Sequence, residues 1–208
     1  MSFPTTWYSQ TSLPRATRPE LNADQICDVC IIGAGIAGLT AALELSRRGK
    51  RVIILEAHQV AWGASGRNGG VVSPGWAEGS GAIRKKLGLE HAKALFQMSV
   101  EGVEIVRRNI AELALSGCDP SAGTIRVKRY DDSVGVKSHI DSMRRDFGYS
   151  LNYLDTAQVR ERAHTSRYFQ GVEDPNALHF HPLNYCLGLA CAIESSGRLI
   201  FVQWKMLA

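Results

Sequence analysis

The chain has 208 residues, 45% of them hydrophobic, enough to bury the core of one domain or of one and a half. Its net charge of +4, from 24 basic and 20 acidic residues, is spread along the sequence, and no basic run with interleaved aromatics points to nucleic acid. The longest uncharged apolar stretch, Val29 to Leu43, has 15 residues, short of the ~18 that suggest a membrane span.

Residues 1–25 read as a lead-in segment, with Ser, Thr and Pro where a signal peptide would carry its apolar core. A cytoplasmic protein is the plain expectation. Val29 to Ile32 then forms a short apolar run between Asp28 and Gly33, the pattern of a strand buried on both faces of a parallel sheet. Gly33 permits a tight turn out of that strand. Gly35 lets backbone approach a pyrophosphate, and Gly38 lets the next helix pack closely on the strand. Ile36, Leu39 and Leu43 recur at helical spacing, Arg47 and Arg48 close the helix, and Gly49 follows it. Val52 to Leu55 reads as a second buried strand. Glu56 ends it, 18 residues after Gly38, where an acid can accept hydrogen bonds from ribose hydroxyls. Strand, glycine turn, helix, strand and acid arrive in the order of a dinucleotide-binding unit, with the helix N-terminus facing the phosphates.

Seven glycines follow in the 19 residues from Gly63 to Gly81, including Gly63-Ala64-Ser65-Gly66-Arg67-Asn68-Gly69-Gly70. A loop with so little bulk can lie against a large ligand and offer it successive N–H groups. A flexible linker is the other reading, although linkers seldom carry flanking anchors such as Trp62 and Trp76. Downstream, Ala92, Leu95, Phe96, Ser99, Val103, Val106, Ile110 and Leu113 mark one long helix. Gly117 to Gly123 reads as a turn and Thr124 to Tyr130 as a strand. Val136, Ile140, Met143 and Phe147 mark a helix closed by Gly148, and a short strand follows at Leu151 to Leu154. Asp155 and Gln158 have the spacing of a capping box. His179 and His181 flank Phe180 and are expected on one face of a strand, as polar neighbours rather than metal ligands. Pro182 suits a helix first turn, with Leu183, Leu187, Ala190 and Cys191 on one face, Gly197 at its end and a strand at Leu199 to Val202.

The chain resembles the amine and amino-acid oxidases of the D-amino-acid-oxidase superfamily. The motifs Gly33-Ala34-Gly35-Ile36-Ala37-Gly38, Glu56 and the 63–70 loop carry that resemblance. Within the superfamily it is most similar to the gamma-glutamylputrescine oxidoreductases, through the aromatic start at Trp7 and Tyr8 and through His181-Pro182-Leu183-Asn184-Tyr185. The resemblance implies FAD as cofactor and a Rossmann-like α/β fold with a parallel sheet, joined to the start of an α+β substrate domain. The expected division is 26–81 for the first part of the FAD domain, 82–181 for a partial substrate domain and 182–208 for the return. Gly33, Ala34, Gly35, Ile36, Ala37 and Gly38 would hold the pyrophosphate and Glu56 the adenosine ribose. Ala64, Ser65, Arg67, Asn68, Gly69 and Gly70 would run along the pyrophosphate toward the flavin ring. Arg67 could serve instead as a donor to the loop's own carbonyls.

The implied reaction is oxidation of a C–N bond by hydride transfer to the flavin, followed by imine hydrolysis and peroxide formation, on a small amine or amino acid. No catalytic residue stands out in the sequence. His58, close behind Glu56, is expected at the adenosine end. Members of the family run about as long again, so the chain reads as an N-terminal half, with a naturally short relative as the alternative. A non-catalytic flavin-binding fragment and an NAD-linked dehydrogenase are the competing functions. Among the cysteines, Cys27 and Cys30 bracket extended chain. Their Cα atoms should lie about 10 Å apart, beyond the ~7 Å reach of a disulfide. Cys118, Cys186 and Cys191 read as small buried hydrophobes, and neither oligomeric state nor electron acceptor is legible.

Overall fold

A computed structural model describes residues 3–203. The elements in chain order are α1 (Trp7–Thr11), β1 (Val29–Ile32), α2 (Ile36–Arg47), β2 (Val52–Leu55), a 3₁₀ turn (Ala64–Gly66), β3 (Val71–Val72), α3 (Ser80–Leu87) and α4 (Leu89–Glu112). Then come β4 (Ser121–Val127), α5 (Ser133–Phe147), β5 (Asn152–Leu154), α6 (Thr156–Ala163), β6 (Gly171–His179), α7 (Pro182–Ser195) and β7 (Leu199–Phe201). They fall into two compact units. The first takes Met1–Gly70, Arg108–Asp119 and Phe180–Ala208; the second takes Val71–Arg107 and Pro120–His179.

The first unit is built on a parallel sheet in the order β1-β2-β7. Val29 to Ile32 pair in step with Val52 to Leu55, and Ile53 to Leu55 with Leu199 to Phe201. All four residues of central β2 are buried, as its continuous apolar run requires. β1 departs from the expectation of burial on both faces: its burial alternates, and Ile32 is 65% exposed. The reason is position, since β1 is an edge strand among the described residues and α2 covers one of its faces. Leu39, Ala42 and Leu43 of α2 are buried, and α2 also packs against α7. α7 is the most buried helix of this unit, with Leu183, Tyr185, Leu187, Leu189, Ala190 and Ile193 all buried. At roughly 1.5–3 kcal/mol for each fully buried large apolar side chain, this helix is the unit's main anchor.

The lead-in segment is ordered along α7. α1, which the sequence did not announce, begins with a reciprocal capping box between Thr6 and Ser9. Leu13 N donates to Asn184 Oδ1 at 2.9 Å, and the buried Arg18 guanidinium grips the Glu194 carboxylate through two bonds of 2.8 and 2.9 Å. His181 corrects a second expectation. It is not on a strand face with His179, because β6 ends at His179 and His181 is the N-cap of α7. Its Nδ1 accepts from Asn184 N at 3.1 Å, its Nε2 meets Thr11 Oγ1 at 3.1 Å, and its ring stands edge-on to Tyr8.

The second unit carries an antiparallel sheet in the order β3-β6-β4, with β5 also paired to β6. A bulge between Ala122 and Thr124 interrupts the β4–β6 ladder. Phe96 of α4, Met143 of α5 and Tyr149 form its core cluster. β4 begins three residues before the expected strand and stops at Val127 instead of Tyr130. The capping box at Asp155 and Gln158 forms as expected, with both bonds at 2.9 Å. β3 and the first two residues of α3 lie in the Gly63–Gly81 stretch that the sequence suggested to be loop. Of the cysteines, Cys118 and Cys186 are buried but Cys191 is exposed, contrary to expectation. The ending Gln203 to Ala208 reads in the sequence as lacking a cap or terminal element, and its residues 204–208 lie outside the described residues.

Candidate functional site

The first unit brings three of the sequence-predicted segments together. The chain leaves β1 through Gly33, whose φ of +99° suits a residue without a Cβ, and Gly33 N is bonded to Leu55 O at 2.8 Å. A Cβ added at Gly38 would overlap the Gly33 carbonyl oxygen and press on Ile31. Gly38 therefore lets α2 lie directly on the turn. A Cβ at Gly35 would come 2.9 Å from Ser65 Oγ, so Gly35 is where the third segment arrives.

That third segment is held by hydrogen bonds. Ser65 Oγ accepts from Ile36 N at 3.0 Å and so takes one of the N–H groups that a helix N-terminus leaves unpaired. The N–H groups of Ala37 and Gly38, in the same first turn, have no acceptor among the described residues. Glu56 bridges the end of β2 to the glycine turn: its Oε2 accepts from Ala34 N at 2.7 Å and its Oε1 from His58 N at 2.8 Å. Ala34 in turn accepts from Ala61 N at 2.9 Å, which ties the 57–62 loop to the same turn. His58 stacks on Trp62, with centroids 4.1 Å apart.

Arg67 and Asn68 are exposed, and their side chains bond back to the loop's own backbone. Arg67 Nε donates to Gly63 O at 3.1 Å, and its guanidinium lies over the Trp62 ring. This is the loop-stabilising alternative. Asn68 donates to Ser65 O at 2.9 Å and accepts from Gly70 N at 2.8 Å, folding the segment on itself. Arg67 N closes the 3₁₀ turn on Ala64 O at 3.1 Å. Gly69 has open space on its Cβ side. The sequence reading passed over Gly66, which is buried and whose Cβ would overlap the Ala61 carbonyl oxygen. Its place inside the repeated glycines was the available signal. Elsewhere in the unit, burial pushes the Cys118 thiol up to about 11 and the Cys186 thiol up to about 12, with Asp119 and Cys118 respectively adding to the effect. Both remain inert thiols at neutral pH.

A glycine turn, a helix N-terminus and a strand-end carboxylate define a Rossmann-like dinucleotide-binding protein. The chain belongs to the DAO family of FAD dependent oxidoreductases, whose family model matches residues 28–203. It is 38% identical over 190 residues to the probable oxidoreductase OrdL of Haemophilus influenzae, covering 89% of this chain and 43% of that protein. It is 32% identical over 196 residues to the gamma-glutamylputrescine oxidoreductase of Escherichia coli, covering 94% and 46%. The chain thus spans about half the length of the curated relatives it matches. Among solved structures, the glycine oxidase of Bacillus cereus aligns with a TM-score of 0.67 at 24% identity, over 86% of this chain and 46% of that one. The L-amino acid deaminase of Proteus myxofaciens aligns with a TM-score of 0.71 at 18% identity, over 92% and 41%. These likenesses share the fold.

The residues present fit FAD. Two first-turn N–H groups without acceptors, backed by the α2 dipole, suit a pyrophosphate. The Glu56 carboxylate, having accepted two N–H groups, still has acceptor capacity for ribose hydroxyls, and the Ser65 hydroxyl still has its proton to donate. No helix among the described residues is long and apolar enough to cross a membrane.

Proposed function

We propose that this chain contributes the cofactor-gripping part of a cytoplasmic FAD-dependent oxidase acting on the C–N bond of an amine or amino acid of the gamma-glutamylputrescine kind. The observation that carries this reading is the convergence of the 33–38 turn, Glu56 and Ser65 around one helix N-terminus. The chemistry supplied by bound FAD is two-electron oxidation of the C–N bond, with water hydrolysing the imine and oxygen taking the electrons as peroxide. The chain's own part is to bind and orient. Ala37 and Gly38 would donate to the pyrophosphate, Ser65 would add its hydroxyl, and Glu56 would accept from the adenosine ribose. Ala64, Gly69 and Gly70 extend that surface toward the flavin ring, while Arg67 and Asn68 hold its shape from within. The amine class is supported by the Gly63–Gly70 motif and by the similarity to the Escherichia coli oxidoreductase.

Titration with FAD and with NAD, followed by flavin fluorescence and calorimetry, tests the cofactor part. FAD is expected to bind more tightly, and the reverse order overturns it. The 208-residue chain alone is expected to release no peroxide. Peroxide release from an FAD-loaded form extended to the length of the curated relatives, on adding gamma-glutamylputrescine, putrescine or small amino acids, tests the substrate part. Peroxide from none of these amines would remove the amine assignment and leave a flavin-binding module.

A further inference from the structure

The family model begins at residue 28, so the lead-in, residues 3–27, stands outside the part of the chain it matches. The lead-in is nevertheless built into the first unit. Phe3 lies against the 3₁₀ turn, since a Cβ added at Gly66 would come 3.2 Å from Phe3 Cζ. The Arg15 guanidinium sits over the Phe3 ring, 4.2 Å from its centroid, and donates to Ser9 O at 3.2 Å. Further on, Arg18 is tied to Glu194, and Val202 N, just past β7, donates to Pro19 O at 3.0 Å.

Between this strap and the loop that follows Glu56 lies an open cavity of about 550 Å³, within the size range of small-molecule sites. Residues 15–18 and 20 form one wall and residues 57–60 another, and every lining residue belongs to the first unit. Buried Val60 and Leu187 give the lining apolar surface. Thr17, Gln59 and Gln203 add side-chain donors and acceptors. Its carboxylate and guanidinium charges balance: Arg18 is paired with Glu194, and Arg15 and Glu20 offset each other. Such a lining suits a flat, uncharged heterocycle with a polar edge rather than an ion.

The cavity adjoins the carboxylate assigned to the ribose. His58 N donates to Glu56 Oε1 at 2.8 Å and His58 O accepts from Gln203 N at 3.4 Å, so the residue that Glu56 holds is itself part of the wall. With pyrophosphate at the α2 N-terminus and ribose on Glu56, the base is the next group along the ligand. This cavity is the next space along the protein.

We propose that the lead-in is a working part of the cofactor site: residues 15–20 are a strap that walls in the adenine end of the dinucleotide, and Phe3 and Arg15 brace it to the Ser65 turn. The inference rests on the reading of Glu56 as the ribose acceptor.

The test compares ADP, which carries adenosine and pyrophosphate, with inorganic pyrophosphate, which carries only the second. Trypsin cleaves after Arg15 but not after Arg18, which precedes Pro19. On the unaltered chain, saturating ADP should slow cleavage after Arg15 at least tenfold, and saturating pyrophosphate less than twofold. Cleavage after Lys85, in the second unit, should keep its rate with either ligand. The double variant F3A R15A should bind ADP at least fivefold more weakly by calorimetry and pyrophosphate as before, with circular dichroism checking the fold. Equal protection by the two ligands, no protection after Arg15, or an unchanged ADP affinity in a folded variant would each overturn the strap. FAD and NAD both contain ADP, so these outcomes are separate from the comparison of the two dinucleotides. FAD binding without protection after Arg15 removes the strap alone, and a chain that binds neither FAD nor ADP removes both readings.

Discussion

Gly35 and Gly38 occupy one motif but answer to different neighbours. A methyl group at Gly38 meets backbone, the Gly33 carbonyl oxygen, which cannot swing aside. Gly38→Ala should therefore push α2 off the turn, costing about 1–3 kcal/mol as overpacking and abolishing FAD binding. A methyl group at Gly35 meets only the Ser65 hydroxyl, the far end of a short side chain. Gly35→Ala should cost about 1 kcal/mol, the value of the Ser65–Ile36 cap, while FAD binding falls with the displaced serine. Urea unfolding beside FAD titration separates the two, and equal stability losses would show that both glycines serve the turn. Glu56 carries a further expectation. Its two oxygens each accept a backbone N–H, and Gln offers an acceptor to only one of them. Glu56→Gln should destabilise the apoprotein by about 1–3 kcal/mol, measurable as a lower urea midpoint without any cofactor. An unchanged midpoint would leave Glu56 a ligand contact alone. The sequence pointed to Glu56 as a ribose acceptor because position after the second strand is a chain-local signal. It could not show that the same carboxylate fastens the glycine turn, since Ala34 and His58 become its neighbours only after β1 and β2 pair. Arg67 and Asn68 teach the same lesson: donor chemistry was legible, but not whether the donors face outward or back into the loop.

Elements were legible where a periodic stripe or a cap lies within a few residues. α2, α4, α5, α6 and β2 follow such signals. α1, with five residues, and β3, with two, are too short to show a period, and β3 exists because Val71 and Val72 pair with Leu178 and His179. α3 has Arg84, Lys85 and Lys86 in its last turn and no buried residue, so no apolar stripe marks it. The start of α7 was placed by Pro182, but the role of His181 as its cap was missed, because histidine is an uncommon N-cap. That cap makes α7 sensitive to acid. Only the neutral imidazole can accept from Asn184 N through Nδ1. Burial lowers the His181 pKa, partly opposed by a bond to its own backbone and by the charge of Asp119. A histidine depressed in the folded state contributes stability that is fully present above its unfolded pKa of about 6.5, and that is lost as pH falls through the lower folded value. The urea midpoint should thus decline between pH 7 and pH 5. His181→Asn keeps an acceptor at the N-cap without a titrating group. It should retain the neutral-pH stability to within about 1 kcal/mol and show a shallower decline. An identical pH profile in the variant would assign the acid sensitivity elsewhere.

In the whole molecule, α4 is a single helix of 24 residues, yet Arg107 belongs to one unit and Arg108 to the other. Its apolar stripe runs on without a break, so periodicity alone could not show that change of allegiance. The residue that marks it is polar. Asn109, fully buried, donates to the Tyr185 hydroxyl and accepts from Arg47, fixing the last turn of α4 within the first unit. The site residues assigned to FAD all lie in that unit, whereas the β4–β6 ladder lies wholly in the second. A ligand that binds only the folded form stabilises it by about 2.7 kcal/mol at a hundred times its Kd, which slows exchange through unfolding by roughly 100-fold. Saturating FAD should therefore slow amide hydrogen exchange in the β1-β2-β7 ladder by about that factor. The effect should be strongest at Ala37 and Gly38, whose N–H groups gain acceptors. The β4–β6 ladder should keep its rates unless its unfolding is coupled to that of the first unit. Exchange resolved by mass spectrometry on peptic fragments reads both ladders in one experiment. Slowing confined to the β4–β6 ladder, or none over residues 33–38, would show that FAD does not bind where the glycine turn, Glu56 and Ser65 converge.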